Sequence, residues 1–193
     1  MKKRFLVLPL LLLTGCSPTV KQSASLEQYL NNPLYAKQFY TELTDEMVNI
    51  EIREPDTLKD KHEASLIRNT KDHSLNLAQL ETQKMNSGTT GNFVQVKQST
   101  QGTVLLTQQG LFFGTDFTVE PGPSLHVYLT NAVDPRDVAF PDPSAKDIGL
   151  IASPYGAQSY ALALTPDELK KYRTVVLLDR ELNRIYGFAQ LSK

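Results

Sequence analysis

The uneven distribution of glycine constrains the fold more than any other feature of this sequence. Nine of the ten glycines lie at or beyond Gly88, and none occurs between Cys16 and Gly88. Glycine supplies the backbone conformations that tight turns between short strands need, and it weakens helices. The chain is therefore expected to divide into a helical first part and a turn-rich second part. The Gly-Thr-Thr-Gly-Asn run at 88–92 indicates a linker at that boundary.

The first sixteen residues have the order of a targeting leader. A basic stretch at 2–4 precedes nine apolar residues at 5–13, and the segment closes with Leu-Thr-Gly-Cys ending at Cys16. Nine apolar residues are too few for a helix that spans a bilayer, which needs about 20. The segment resembles a bacterial lipobox. This resemblance implies a signal peptide over 1–15, a lipidated Cys16 and a tether over 16–24; an ordinary secretory signal with an incidental cysteine is the alternative.

Lipidation at Cys16 would make a lipid bilayer the first partner of this chain. The cysteine would carry a diacylglyceryl thioether and an N-acyl chain, and two or more acyl chains anchor durably where one is marginal. Ser17, in place of an aspartate, favours the outer membrane of the envelope, facing the periplasm. Because Cys16 is the only cysteine, no intramolecular disulfide is possible.

The charge balance argues against nucleic acid as a partner. Twenty basic and twenty-one acidic residues give a net charge of −1. Removing residues 1–15 takes away three basic residues, which leaves seventeen basic against twenty-one acidic and a net charge of −4. This charge does not favour binding to polyanions or to an anionic membrane surface.

The segment 25–87 is predicted to be a helical stalk or subdomain. Ser25 and Gln28 have the spacing of a capping box, and Asp56 is a candidate N-cap for a second helix. Between Pro33 and Pro55, apolar side chains recur every four residues, which places them on one helix face: Tyr35, Phe39, Leu43 and Met47.

The segment 88–193 is predicted to be a mainly β domain, an antiparallel sandwich or a barrel-like fold, able to fold alone. Short apolar runs are separated by turn residues, at 93–98, 103–107, 111–117, 124–130, 148–152, 159–164, 174–178 and 184–191. In the run 124–130, Leu125, Val127 and Leu129 alternate with polar residues, so they share one face. Thr165, with Pro166 and Glu168 behind it, predicts one short helix among the strands.

Several short blocks occur in order over about 91–193, and the main ones are Gly91-Asn92-Phe93, Gly102-Thr103-Val104, Gly122 to Leu129, Gly156 to Tyr160, Tyr172 to Asp179 and Tyr186 to Leu191. Together these blocks resemble the DM13 domain, a β-rich extracytoplasmic domain catalogued for electron transfer. The family's proposed redox role rests on a cysteine near the end of a late strand. The matching pair here is Leu178-Asp179, so the group that would carry thiol chemistry is missing.

Three residues are candidates for a ligand or redox position if the domain binds a haem or a metal ion: Asp179, His126 and Tyr128. Asp179 could act as a ligand or an acid-base group if buried, but an exposed turn before Arg180 is the favoured interpretation. His126 is expected to point away from the apolar face of its strand, together with Tyr128. The sequence itself implies no cofactor.

A long acidic loop is the candidate binding loop, and it contains Asp134, Asp137, Asp142 and Asp147. Oxygen-rich loops suit Ca²⁺, but the spacing matches no EF-hand, and aspartate with proline is common in loops. The turn at Pro121-Gly122-Pro123 is a second candidate surface.

Two functions remain open at this point. The favoured hypothesis is a non-enzymatic binding or adaptor module, anchored in the envelope and contacting an unknown envelope protein. The alternative is an electron-transfer accessory protein of the DM13 type that uses a bound haem or metal. A hydrolase has little support, because the sequence has no Gly-x-Ser-x-Gly and its one cysteine, in the lipobox, is not available to pair with a histidine.

Overall fold

The computed structural model describes residues 25–193, so Cys16 and the leader lie outside the described residues. In the described residues three helices are followed by ten strands, with a fourth helix between the eighth and ninth strands. The helices are α1 (Leu26–Leu30), α2 (Pro33–Arg53), α3 (Lys61–Asn86) and α4 (Pro166–Lys171). The strands are β1 (Thr89–Gln95), β2 (Thr100–Gln101), β3 (Thr103–Leu106), β4 (Gly110–Phe113), β5 (Thr118–Val119), β6 (Leu125–Thr130), β7 (Lys146–Leu150), β8 (Gln158–Ala161), β9 (Thr174–Asp179) and β10 (Arg184–Gln190). In this described part of the chain, no helix is both long and apolar enough to cross a membrane.

The helices begin at side chains that accept hydrogen bonds from their first free amides. Ser25 and Gln28 form the predicted capping box of α1, and Thr165 forms that of α4 with Glu168. The prediction for Asp56 is wrong. Asp56 precedes only a short 3₁₀ turn and makes no side-chain cap, whereas Asp60 accepts the amide hydrogens that begin α3.

Helices α2 and α3 form an antiparallel hairpin. Thr44 contacts Ser74 at 2.7 Å, and further along α2 Glu51 pairs with Lys71 at 2.6 Å. Partners move back along α3 as the chain advances along α2, which defines the antiparallel direction. Both ends of a hairpin lie at the same place, so this helical segment does not act as a spacer between its two ends. It projects as an arm about 30 Å long at 1.5 Å per residue.

The arm joins the β domain through Asn32. Its side-chain amide donates to the main-chain oxygens of Phe113 at 2.8 Å and of Gln158 at 3.3 Å. Its oxygen accepts the amide hydrogen of Leu34 at 3.0 Å and so begins α2. Asn32 is 2% exposed, and one side chain therefore fixes the helix start to strands β4 and β8.

The expected linker at 88–92 is a strand, which corrects the sequence-based interpretation. Thr89 to Asn92 pair with β3, and the strand continues beside β10. Gly91 is required by close packing and not by flexibility, because a Cβ on it would lie 2.3 Å from the main-chain oxygen of Gln190. The helical arm therefore runs directly into the sheet.

Eight strands form one antiparallel, nearly closed barrel-like sheet, as the predicted fold class requires. The strand order is β7-β6-β9-β10-β1-β3-β4-β8, and β2 pairs separately with β5. Side chains join the two edge strands where the sheet does not close. The amide of Ala152, just after β7, donates to the side-chain oxygens of Gln158 and Tyr160 of β8, each at 3.0 Å. Burial raises the pKa of the Tyr160 hydroxyl to about 12, so it stays protonated.

The sheet has two apolar faces of unequal size. Its interior holds the main core, in which Phe93, Phe113 and Phe117 pack with ring centroids 4.6–5.4 Å apart. Leu125, Val127 and Leu129 lie in this core, as their alternation predicts. On the outer face a smaller cluster is made by Tyr128, Val176, Leu178 and Phe188. The loop 131–145 covers this outer cluster with Phe140 and Ala145.

Candidate functional site

Asp179 is fully buried, so its favoured interpretation as an exposed turn residue is wrong. It ends β9 on the interior side of the sheet. One carboxylate oxygen accepts the amide hydrogen of Ser124 at 3.1 Å, and the other accepts that of Leu182 at 3.0 Å. The cost of burying a carboxylate is offset when hydrogen bonds from the protein replace those from water. The carboxylate therefore ties the loop before β6 to the turn after β9.

The turn at Pro121-Gly122-Pro123 closes over Asp179. A Cβ on Gly122 would lie 2.7 Å from the Tyr186 hydroxyl oxygen as well as against the Asp179 carboxylate. Burial, and after it the charge of Asp179, raises the pKa of the Tyr186 hydroxyl above its ordinary value. This turn, the second candidate surface, therefore covers the Asp179 carboxylate, whose role is structural.

His126 and Asp147 form the polar contact of the outer face. The His126 Nδ1 atom lies 2.9 Å and 3.0 Å from the two carboxylate oxygens of Asp147. Arg180 donates to the same carboxylate at 3.3 Å. The strand alternation predicted that His126 points outward with Tyr128, and the structure confirms it, with the two rings 6.3 Å apart.

Hydrogen bonds favour the ionised form of the Asp147 carboxyl. Burial alone would raise the pKa of the Asp147 carboxyl, but donation from His126 and from the Gly149 amide outweighs burial and keeps that pKa below its ordinary value. Burial, and after it the Asp147 charge, raises the pKa of the Tyr128 hydroxyl. Asp147 is therefore ionised at neutral pH and faces two cationic or donor groups.

The three candidate ligands for a haem or metal do not converge. His126 and Tyr128 lie on the outer face, whereas Asp179 lies on the interior side with both oxygens occupied by amides. Within residues 25–193 no group of three or more His, Cys, Asp or Glu side chains is arranged to hold a metal ion. The residues present do not fit a cofactor held by this set.

The four aspartates of the candidate binding loop do not share a centre either. Asp142 accepts hydrogen bonds from Thr130 and Ser144, and these fasten the loop to the end of β6. Asp134 pairs with Arg136, with contacts from 2.5 Å to 3.1 Å. Asp147 faces His126, as described, and Asp137 is exposed. Asp142 therefore fastens the loop to the sheet, whereas Asp134 makes a contact within the loop and Asp147 makes its contacts from β7.

The loop leaves an open groove on the outer face, and no pattern in the sequence predicts this groove. Its volume is about 420 Å³. It is lined by Val96, Lys97, Pro135, Arg136, Val138, Phe140, Leu178, Leu182, Asn183, Arg184 and Ile185, and we call it the outer groove. Its lining combines basic and apolar side chains from three separate segments of the chain, at 96–97, 135–140 and 178–185. Only the fold brings these segments together.

Comparison with known proteins gives one finding. The model of a protein family described as electron transfer DM13 matches residues 92–191. This span is just over half of the chain and contains nearly all of the barrel, with His126, Tyr128, Asp179 and the loop 131–145. No curated protein and no solved structure matches the chain.

Proposed function

The chain belongs to the DM13 electron-transfer family, and from this premise we propose that it is a lipid-anchored envelope protein whose DM13 domain acts as a binding or adaptor module. It works without enzymatic chemistry and without a redox thiol of its own. Its partner is another protein of the envelope.

One observation carries this proposal: a fully buried carboxylate stands where the family resemblance expects a cysteine. Both oxygens of Asp179 are engaged by main-chain amides, and residues 17–193 contain no cysteine. Thiol–disulfide exchange requires a thiolate that attacks sulfur, and a carboxylate does not supply one. The chain keeps the sequence pattern of the family over 92–191, while the position at which the resemblance expects the redox cysteine holds a buried carboxylate bonded to two main-chain amides.

The proposed anchor places the domain close to the membrane. Eight residues separate Cys16 from Ser25, and the nine extended steps between the two span at most about 30 Å. The chain then reaches the sheet at Asn32. The lipid and the β domain would therefore meet at the same end of the helical arm, which leaves the tip of the arm free to project.

A second candidate function is electron transfer through a bound haem or metal, and the family description favours it. The side chains predicted to ligate such a group point to opposite faces of the sheet. A redox group would therefore need ligands other than His126, Tyr128 and Asp179 acting together.

A mass and absorption measurement separates the two functions. The full chain, expressed with its leader and extracted from the envelope in detergent, is examined by native mass spectrometry and visible spectroscopy. We expect the mass of the processed polypeptide plus its lipid, with no visible absorption band. A stoichiometric additional mass or a visible band would overturn the adaptor proposal in favour of electron transfer.

A further inference from the structure

We infer that the outer groove is a docking site for an acidic peptide segment that carries apolar side chains. This inference rests on the proposed adaptor function and names the chemistry of the partner. The groove is open along the outer face, and its volume of about 420 Å³ accommodates a few side chains.

The floor and rim of the groove supply apolar contacts. Phe140 and Ile185 are half-buried and pack on the outer cluster. Val138 and Leu182 line the rim at 43% and 50% exposure. Large apolar side chains this exposed around one concavity are typical of binding surfaces.

The charges of the groove are positive. Among the ion pairs of residues 25–193, neither Lys97 nor Arg184 takes part. Arg136 pairs with Asp134 and lies over the Phe188 ring at 5.1 Å. Of the residues that the structure describes, those that line the groove include no carboxylate, although Asp137 and Glu181 lie on the same two loops. Lys97 and Arg184 are therefore available to pair with the carboxylates of a ligand.

This local positive charge contrasts with the rest of the chain. Residues 16–193 carry a net charge of −4, so an anionic membrane surface or a nucleic acid is repelled over most of the protein. A short peptide contacts only the groove and avoids that repulsion. Carboxylates would pair with Lys97 and Arg184, and apolar side chains would pack on Phe140 and Ile185.

Panning of a random twelve-residue peptide library on the full detergent-purified protein tests this assignment. The readout is the composition of the enriched peptides. We expect Asp or Glu together with Leu, Ile or Phe in the pool selected by the wild type. The enrichment should be lost with the double variant Lys97→Glu and Arg184→Glu, and peptides from the wild-type pool should bind this variant at least tenfold more weakly.

A matched control variant makes the same change of charge at two lysines outside the outer groove. Lys170 and Lys171 lie on α4, are exposed and do not line the outer groove, so Lys170→Glu with Lys171→Glu should select the wild-type pool. Val138→Asp tests the apolar rim separately and should also abolish the enrichment. Because all these side chains are exposed, thermal unfolding should match the wild type.

Two outcomes would overturn the inference. One is a pool without acidic enrichment, or the same enrichment on the groove variant. The other is sedimentation with vesicles of anionic phospholipid that depends on Lys97 and Arg184, which would assign the groove to lipid headgroups. Failure of the proposed adaptor function is distinguishable, since it appears as an added mass or a visible band and not as a change in the peptide pool.

Discussion

Gly122 lies so close to Asp179 that a Cβ at position 122 would be 2.3 Å from the Oδ2 atom of the carboxylate. The turn and the buried acid therefore constrain each other: the carboxylate leaves room only for a hydrogen atom, and the turn keeps water from the carboxylate. This relationship explains why the turn contains a glycine although its backbone does not have a positive φ.

Gly122→Ala should destabilise the barrel by about 1–3 kcal/mol, the usual effect of overpacking. The added methyl group must displace a carboxylate that is held by two amides, and it cannot move toward the Tyr186 ring. Urea denaturation followed by circular dichroism measures the change. Glu120→Ala, an exposed position two residues earlier, serves as the control and should stay within about 0.5 kcal/mol of the wild type. An equal effect of both substitutions would show that the close contact is not real.

Asp179→Ala should lower the free energy of unfolding by about 2–4 kcal/mol. It removes the acceptor of the Ser124 and Leu182 amides, whose hydrogen bonds are partly buried, and it leaves a cavity where the carboxylate was; a donor that loses its acceptor in such a place costs about 1–3 kcal/mol. Asp179→Asn should fall between Ala and the wild type, because its single oxygen satisfies only one amide. The same denaturation measurement ranks the three proteins. Wild-type stability of the Ala variant would mean that Asp179 is not structural and would reopen a functional role for it.

The β domain could be predicted from the sequence because the pattern that indicates each strand lies within that strand. The alternation of Leu125, Val127 and Leu129 needs no knowledge of distant residues, and it correctly placed His126 on the outer face. Capping boxes such as Thr165 with Glu168 are equally local. The family resemblance added the extent of the domain, and the match over 92–191 confirms it.

The failures concern residues whose environment is made by distant parts of the chain. Asp179 was expected to be exposed because acidic residues in turns usually are, yet Ser124 and Gly122, more than fifty positions earlier, enclose it. The glycine and threonine residues of the run 88–92 suit a loop and predict a linker, but pairing with β3 makes this run a strand. The outer groove could not be predicted from local patterns, because three distant segments form it and only the order of the strands in the sheet brings them together.

Asn32→Ala should weaken the junction between the helical arm and the barrel. The substitution removes both the cap of α2 and the donors to Phe113 and Gln158, so we expect a loss of about 2–3 kcal/mol. Asn32→Ser keeps a capping oxygen and loses the donors, so its loss should be smaller. A fragment of residues 88–193 lacks the arm altogether and should unfold cooperatively at a lower temperature than the full chain. Calorimetry checks all three, and an unfolded fragment would show that arm and barrel form one folding unit.

Cys16→Ala should release the protein from membranes. The substitution removes the only thiol that can be acylated, and the remaining chain has a net negative charge that does not hold it to anionic lipids. Fractionation of cells into soluble and membrane pools, followed by immunoblotting, measures the release. Ser17→Ala is the matched control and should remain in the membrane pool. If the Cys16 variant also stays there, the anchor proposal is wrong.

The loop over the outer face should loosen in acid through Asp142. Burial alone would raise the pKa of this carboxyl, but donation from Ser144 and Thr130 outweighs burial and holds the pKa below its ordinary value of 3.8. A group whose pKa is lowered by folding stabilises the fold above its unfolded pKa, and this contribution is lost as the pH falls through the folded value. The protection of amides 131–145 against hydrogen exchange, taken relative to their intrinsic exchange rates at each pH, should therefore fall below about pH 4.

Asp142→Asn isolates this effect from the other acidic groups of the outer face. Asp134 and Asp147 also have lowered pKa values, so the wild type alone does not identify the responsible group. The amide retains the shape of the carboxyl but not its charge, so exchange in 131–145 should be faster than in the wild type at neutral pH. The difference between the two proteins should shrink as the pH falls through the lowered pKa of the wild-type carboxyl, because that carboxyl then also loses its charge. A difference that persists unchanged in acid would mean that the loop is held by its packing on Tyr128 and Phe188 and not by the Asp142 charge.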